Sequence, residues 1–286
     1  VTQKQILDRA FVNTVNALRG KEKAYLGDLR EVYRQALHEV LGTLQGYYRQ
    51  AGTITPFLFG RASEIARVVT ERLLALGQDT LEGLSDHLKD IYTESYYRSA
   101  WAADLATPPS LAIRFSGLPE TQVLAAIATP WKGEMFSQRW FRITDQMARN
   151  MQREIATGIA LGESLDDTAE RIEDLWGKTG SGLEWRAEMI ARTETIRARE
   201  VGRIKVFMDN SDLVLGDYWV TMEDELVCPI CEPLNGKENV PEEPPIHPNC
   251  RCTKLKDWDD LWQPGDPEEP IYQPFEAWKE AHGLGD

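Results

Sequence analysis

Apolar residues recur at helical spacing through most of the first two-thirds of the chain. Between residues 63 and 76, Ile65, Val68, Val69, Leu73 and Leu76 share one face of a helix. Leu84, Leu88 and Ile91 continue the stripe, Trp101 and Leu105 follow, and Pro108 and Pro109 stop it. Such stripes pack as the core faces of a helical bundle. Residues 106–119 are rich in Pro, Ser and Gly and read as a connection. A second helical block opens near Trp131. Ile143, Met147, Met151, Ile155 and Ile159 recur along it every four residues, until Gly162 ends it. Ser164, with Asp167 three residues on, makes a capping-box-like start for a further helix with Ile172 and Leu175 as apolar contacts. Residues 177–182 break the pattern again.

The longest informative helix spans about 183–209. Ile190, Val201, Ile204 and Met208 come to one side of it. Arg192, Arg199 and Arg203 share another. Residues 184–205 carry six Arg/Lys against four Glu. Two readings follow: a solvated, salt-bridged face, or a contact surface for a partner or for DNA phosphate. After Asp209 the pattern changes. Val214, Leu215, Tyr218, Trp219, Val220 and Thr221 give residues 213–222 a strand-like composition. Pro, Gly and Asn then become frequent, and no internal repeat is visible.

Charge adds one constraint. The net charge is −14, and residues 257–286 alone, with nine Asp/Glu and one Lys, account for −8 of it. Broad electrostatic binding of DNA needs clustered Lys and Arg, which this balance disfavours. No apolar run approaches the ~20 residues of a membrane helix. The first nine residues are polar and mixed, so no signal peptide is seen, and the start on Val1 suggests a processed or trimmed product. The acidic end carries four prolines between Pro264 and Pro274, with Trp258, Trp262, Tyr272, Phe275 and Trp278 among its carboxylates. Large aromatics anchor binding segments. The expectation is an extended arm that packs on the chain's own helical part or on a basic partner groove. Phe275, Trp278 and His282 fall at helical spacing, so its last turns become helical on docking.

All four cysteines lie between positions 228 and 252. A secreted disulfide protein would spread them along the chain; this packing favours a metal and a reducing compartment. Cys228 and Cys231 form a C-x-x-C pair, whose turn aims two sulfurs at one ion. Fifteen residues later come His247, Cys250 and Cys252. Structural zinc takes four ligands, so five candidates compete. Cys228 and Cys231 come first and Cys250 next, while His247 and Cys252 contest the last place. Inter-cluster disulfides and unligated thiols are the alternatives. Redox catalysis would want the C-x-x-C at a helix start, and a Pro- and Gly-rich loop follows here. A metal offsets the entropy of closing the fifteen-residue loop, and its binding then counts as folding energy.

Several segments occur in a telling order: Ala191-Arg192-Thr193-Glu194, Tyr218-Trp219-Val220-Thr221, Cys228-x-x-Cys231 with Leu234-Asn235-Gly236-Lys237, and Pro244-Pro245-Ile246-His247-Pro248-Asn249-Cys250-Arg251-Cys252. In this the chain resembles the Mu F-like minor head proteins of tailed bacteriophages, the phage head morphogenesis proteins, over about residues 131–256. The resemblance implies a virion protein present in few copies. It would be made in the host cytoplasm and enter the head with the portal protein. Its partners would be the portal, capsid or scaffolding protein, and packaged DNA. It also implies a distant fold relationship to ADP-ribosyltransferases. That sets up an enzyme alternative through Arg192 and Glu225, in the run Glu223-Asp224-Glu225. No Ser-Thr-Ser strand and no nicotinamide signature accompany it, and a solvated acidic turn is the simpler account.

The expected architecture is therefore mainly α. It has a helical N-terminal region over 1–130 and a small α+β Mu F-like domain over 131–256 with a Cys/His zinc-type element. An extended acidic, aromatic and proline-rich tail follows over 257–286. The expected role is structural and not enzymatic, in the virion and without a membrane.

Overall fold

The computed structural model describes residues 3–51, 56–108, 110–177, 182–214, 216–221, 227–257 and 272–284. Among these the fold is mainly helical. Helices α1 (Gln3–Ala51), α2 (Pro56–Ala106), α3 (Glu120–Ala128), α4 (Phe136–Leu161), α5 (Leu165–Gly177) and α6 (Leu183–Asp209) precede a two-stranded sheet, and α7 (Phe275–Ala281) ends it. Strands β1 (Gly216–Val220) and β2 (Thr253–Asp257) pair antiparallel, with Val220 opposite Thr253 and Gly216 opposite Asp257. No described helix is long and apolar enough to cross a membrane. The chain forms two compact units: residues 24–86 with 130–191, and residues 1–23, 87–129 and 192–286.

The first unit has the packing that its periodicity dictates. Along α4, Trp140, Ile143, Met147, Met151, Ile155 and Ile159 are buried. The same holds for Ile65, Val69 and Leu73 on α2 and for Ile172 and Trp176 on α5. The Trp140 indole N–H donates to the Gly77 carbonyl and the Thr80 hydroxyl, both at 3.1 Å. Gly77 is required there, because a Cβ would come within 2.5 Å of Thr144. Gly162 closes α4 in the left-handed conformation, at φ 71°. The Ser164 hydroxyl accepts from the Asp167 N–H at 3.1 Å, and Asp167 accepts from the Ser164 N–H at 3.2 Å, which completes the capping box of α5.

The second unit is built differently. Here α6 crosses α2 at Gly202, where a Cβ would meet the Tyr92 carbonyl oxygen at 2.5 Å. Ser95 donates to the Arg199 carbonyl at 2.7 Å across the same crossing. The connection after α2 is held by side chains. The Tyr96 and Tyr97 hydroxyls accept from the Ser116 and Leu118 N–H groups, and fully buried Asn210 exchanges two hydrogen bonds with the Arg114 backbone. Of the expected acidic tail, Trp258 and Trp262 lie outside the described residues. Its end is helix α7, which buries Phe275 and Trp278 against Trp101, Val206 and Ala10.

Candidate metal centre

The cluster sits on two short arms joined to β1 and β2. The first arm turns at Cys228, whose carbonyl accepts from the N–H groups of Cys231 and Glu232, both at 3.0 Å. One turn of 3-10 helix, Glu232–Leu234, follows. The chain then reverses at Gly236, with φ 74°, a conformation glycine adopts without strain. This brings the Gly236 N–H to the Trp219 carbonyl and the Trp219 N–H to the Lys237 carbonyl, both at 2.8 Å. The Asn235 side chain accepts from the Thr221 N–H at 3.0 Å. The Leu-Asn-Gly-Lys run is thus the knuckle that fastens the C-x-x-C turn to β1.

The second arm runs from His247 to β2. Asn249 is left-handed, at φ 60°, and its N–H reaches the Thr193 hydroxyl on α6 at 3.0 Å. The Arg199 guanidinium donates to the Cys252 carbonyl at 2.9 Å. Two residues of α6 therefore hold this arm by its backbone.

Between the arms the donor atoms converge. The His247 Nε2 lies 3.1 Å from the Cys228 sulfur and 3.0 Å from the Cys231 sulfur. The Cys231 and Cys250 sulfurs are 3.9 Å apart. Two groups that could hold a metal ion overlap at Cys231: Cys228, Cys231 and His247, and Cys231, Cys250 and Cys252. None of the four cysteines is in a disulfide. The His247 Nδ1–H donates to the Pro248 carbonyl at 2.8 Å, which leaves the Nε2 lone pair to face the sulfurs.

Electrostatics divides the thiols. The hydrogen bond from Cys252 draws Cys250 down to about 5, in the thiolate range. Cys252 is pushed up, because its proton is held toward Cys250 and the site is buried. Burial raises Cys231 to about 12. A dication would reverse the last two by stabilising the thiolates. The residues fit such an ion. A tetrahedron of Zn–S bonds near 2.3 Å and a Zn–N bond near 2.0 Å has edges of about 3.5–3.8 Å. The Cys231–Cys250 edge is already at this scale, the histidine edges need to open by about half an ångström, and Cys250 must draw in, because it does not group with both Cys228 and His247 within 4.8 Å. A cavity of about 270 Å³ lies against the cluster, lined also by Thr221, Asn249 and Arg251.

Arg199 and Arg203 meet a different environment from either one the periodicity suggested. Glu200 is fully buried, and its carboxylate takes Arg199 at 2.9 Å and Arg203 at 2.7 Å. The two cations hold it below the usual carboxylate range against the opposing effect of burial. Arg199 and Arg203 thus turn inward and join α6 to the second arm. Arg192 is half-buried. Nearby, Arg197 pairs with buried Glu194 at 2.9 Å and donates to the Ile127 carbonyl at 2.5 Å. Lys254 on β2 is another buried cation, on the Val240 carbonyl at 2.5 Å and Glu243 at 2.9 Å. Glu200, Arg197 and Lys254 were not legible as positioning residues, since charge alone reads as solvated. The signal that could have found Thr193 and Asn249 was their place inside the ordered segments that carry the family resemblance. Glu223, Asp224 and Glu225 lie outside the described residues.

Residues 149–255 match the family model described as Phage Mu protein F like protein, the family that the ordered segments resemble. A curated relative, the NAD(+)--arginine ADP-ribosyltransferase EFV of Enterococcus faecalis (strain ATCC 700802 / V583), is 24% identical over 252 residues. That alignment covers 80% of this chain and 50% of the relative, so the chain spans about half of that protein's length. No solved structure matches.

Proposed function

We propose that this protein is a structural minor head protein of a tailed bacteriophage that acts in head morphogenesis. The observation that carries the reading is the match of residues 149–255 to the Phage Mu protein F like family. The geometry supports it, because the family's segments are spent on one another and on a stapled element. Thr193 binds Asn249, Gly236 binds Trp219, and His247 faces Cys228 and Cys231. In this reading the protein is made in the host cytoplasm, enters the head with the portal protein, and lies inside the virion beside packaged DNA. Its partners are the portal and a capsid or scaffolding protein. Outside contacts are not assigned to Arg199 or Arg203, which are bound to Glu200.

The metal in this reading is structural zinc on Cys228, Cys231, His247 and Cys250. His247 takes the contested place because its Nε2 faces both sulfurs of the C-x-x-C pair. Cys252 stays outside the tetrad as the thiol that donates to Cys250. Zinc would supply no reaction here, only the closure of the two arms. Cys252→Ser should keep the metal and Cys250→Ser should lose it, read by elemental analysis.

The enzyme alternative takes its support from the similarity to the Enterococcus NAD(+)--arginine ADP-ribosyltransferase. It needs Arg192 and Glu225 to serve NAD chemistry. Isothermal titration with NAD separates the readings: saturable binding weakened by Glu225→Ala would favour the enzyme. The head-protein reading is tested by quantitative mass spectrometry of purified heads and tails. Co-purification with heads at a fixed ratio to portal supports it, and absence from heads overturns it.

A further inference from the structure

Glu22 on α1 differs from the two buried carboxylates of α6. Glu194 is paired with Arg197 at 2.9 Å and Glu200 with Arg203 at 2.7 Å. Glu22 is half-buried and faced by Arg199 and Arg192 of α6, Arg19 of α1 and Arg251 of the second arm, yet its carboxylate makes no hydrogen bond or ion pair with a described residue. Burial raises the Glu22 carboxyl above its usual range in spite of these cations, whereas the burial of Glu200 is overcome by Arg203 and Arg199. The difference is contact: charge at a distance does not replace the hydration that a carboxylate gives up. Backbone anchors fix the arrangement. The Asn249 N–H on the Thr193 hydroxyl, at 3.0 Å, seats the second arm beside Arg192, and Arg251 falls between that anchor and the bond from Arg199 to the Cys252 carbonyl, at 2.9 Å. All these residues belong to the second unit. Among them five arginines, with Arg203, stand against the two carboxylates Glu22 and Glu200, an excess of three positive charges in a chain whose net charge is −14.

We propose that Arg19, Arg192 and Arg251 form a binding site for a phosphate anion, with the Glu22 carboxylate holding the ligand's place among them. The arginine fork matches the oxygens of phosphate, and a dianion with four oxygens can meet several cations that one carboxylate does not reach. Arg199 lends only its charge, since Glu200 and the Cys252 carbonyl hold its guanidinium. Arg19 is exposed and Arg192 and Arg251 are half-buried, so the site is reached from solvent along α1. When phosphate binds, the Glu22 side chain turns outward and its carboxylate regains hydration. The site needs neither the head-protein reading nor the metal.

Calorimetric titration of the full-length protein with inorganic phosphate, at an ionic strength held constant with chloride, makes the test. Saturable binding is expected. Glu22→Gln removes the competing charge and should tighten binding about tenfold, and Arg192→Gln should weaken it about tenfold, close to the worth of one charge-assisted hydrogen bond. If Arg192→Gln fails to fold, Arg19→Gln, at an exposed position, takes its place, with weaker binding again expected. No saturable binding by wild-type protein or by Glu22→Gln overturns the proposal. So does a Glu22→Gln protein that loses stability without gaining affinity, since Glu22 would then be purely structural. Short duplex DNA added to the phosphate complex separates two sources of the same chemistry. Release of phosphate marks a nucleic-acid backbone as the ligand, retention marks free phosphate, and either result keeps the site.

Discussion

Helix α4 and the second half of α6 each bury one face, yet opposite chemistry buries them. On α4 the covered face is Trp140, Ile143, Met147, Met151, Ile155 and Ile159. On α6 beyond Arg192 it includes Thr193, Glu194, Thr195, Arg197, Glu200 and Arg203. The first face needs only water's exclusion, at about 25 cal/mol per Å² of apolar surface. The second must satisfy every charge, because an unpaired buried ion costs several kcal/mol. It does so largely by pairing along the helix and by gripping backbone, Arg197 on Ile127 and Arg199 on Cys252, although the Arg203 Nη1 is left buried without an acceptor. An apolar face tolerates approximate partners, whereas a charged face accepts one arrangement. The element beside this charged face is the Cys/His cluster, which would lose its geometry if either arm slid.

The comparison is broken most severely at the staple. Cys231 belongs to both ligand groups, so Cys231→Ser should remove the metal and destabilise the second unit by at least about 4 kcal/mol. Denaturant melts with metal analysis check this. Glu200→Ala comes next, at about 3–5 kcal/mol, because it strands Arg199 and Arg203. Replacing all three residues with apolar ones of similar volume should recover most of that loss; if it does not, the charges hold the arm through specific geometry rather than mutual neutralisation. On α4, Ile155→Ala should cost about 3 kcal/mol through its cavity, with no change in metal content.

A smaller effect depends on pH. Burial depresses His87 to about 4, against a weaker opposing pull from Asp90. Its Nε2 meets the Thr195 hydroxyl at 3.0 Å. The unfolded chain takes up this proton near pH 6.5 and the folded one only near 4, so stability falls as pH drops through that window. The loss should reach about 2–3 kcal/mol by pH 4. His87→Gln should flatten that part of the stability–pH curve, and an unchanged slope would assign the acid sensitivity elsewhere. Thr193→Val, which removes the acceptor for the Asn249 N–H, should cost about 1 kcal/mol.

The same contrast explains what the sequence makes legible. Apolar periodicity marked the α4 face, and the Ser164 cap and the span of α6 were visible from local chemistry. The gathering of Cys228, Cys231, His247, Cys250 and Cys252 was visible from spacing, which left the contest between His247 and Cys252 undecided. Strand β2 was not, because Thr-Lys-Leu-Lys-Asp carries little strand preference, and its Lys254 is buried only by virtue of partners at Val240 and Glu243. The inward turn of Arg199 and Arg203 was hidden for the same reason: Glu200 decides it, and nothing local says that Glu200 is buried. Interleaving was also hidden, since α1, α2 and α6 each contribute to both units and a helical stripe does not announce a change of partner.

The central claim is that the Cys/His cluster is a structural metal site that closes the two arms. Elemental analysis of protein purified without chelator, with a count of free thiols, tests it most directly. The account predicts about one zinc per chain and four cysteines outside any disulfide. Metal-free protein with disulfides between the 228–231 and 250–252 pairs would contradict it.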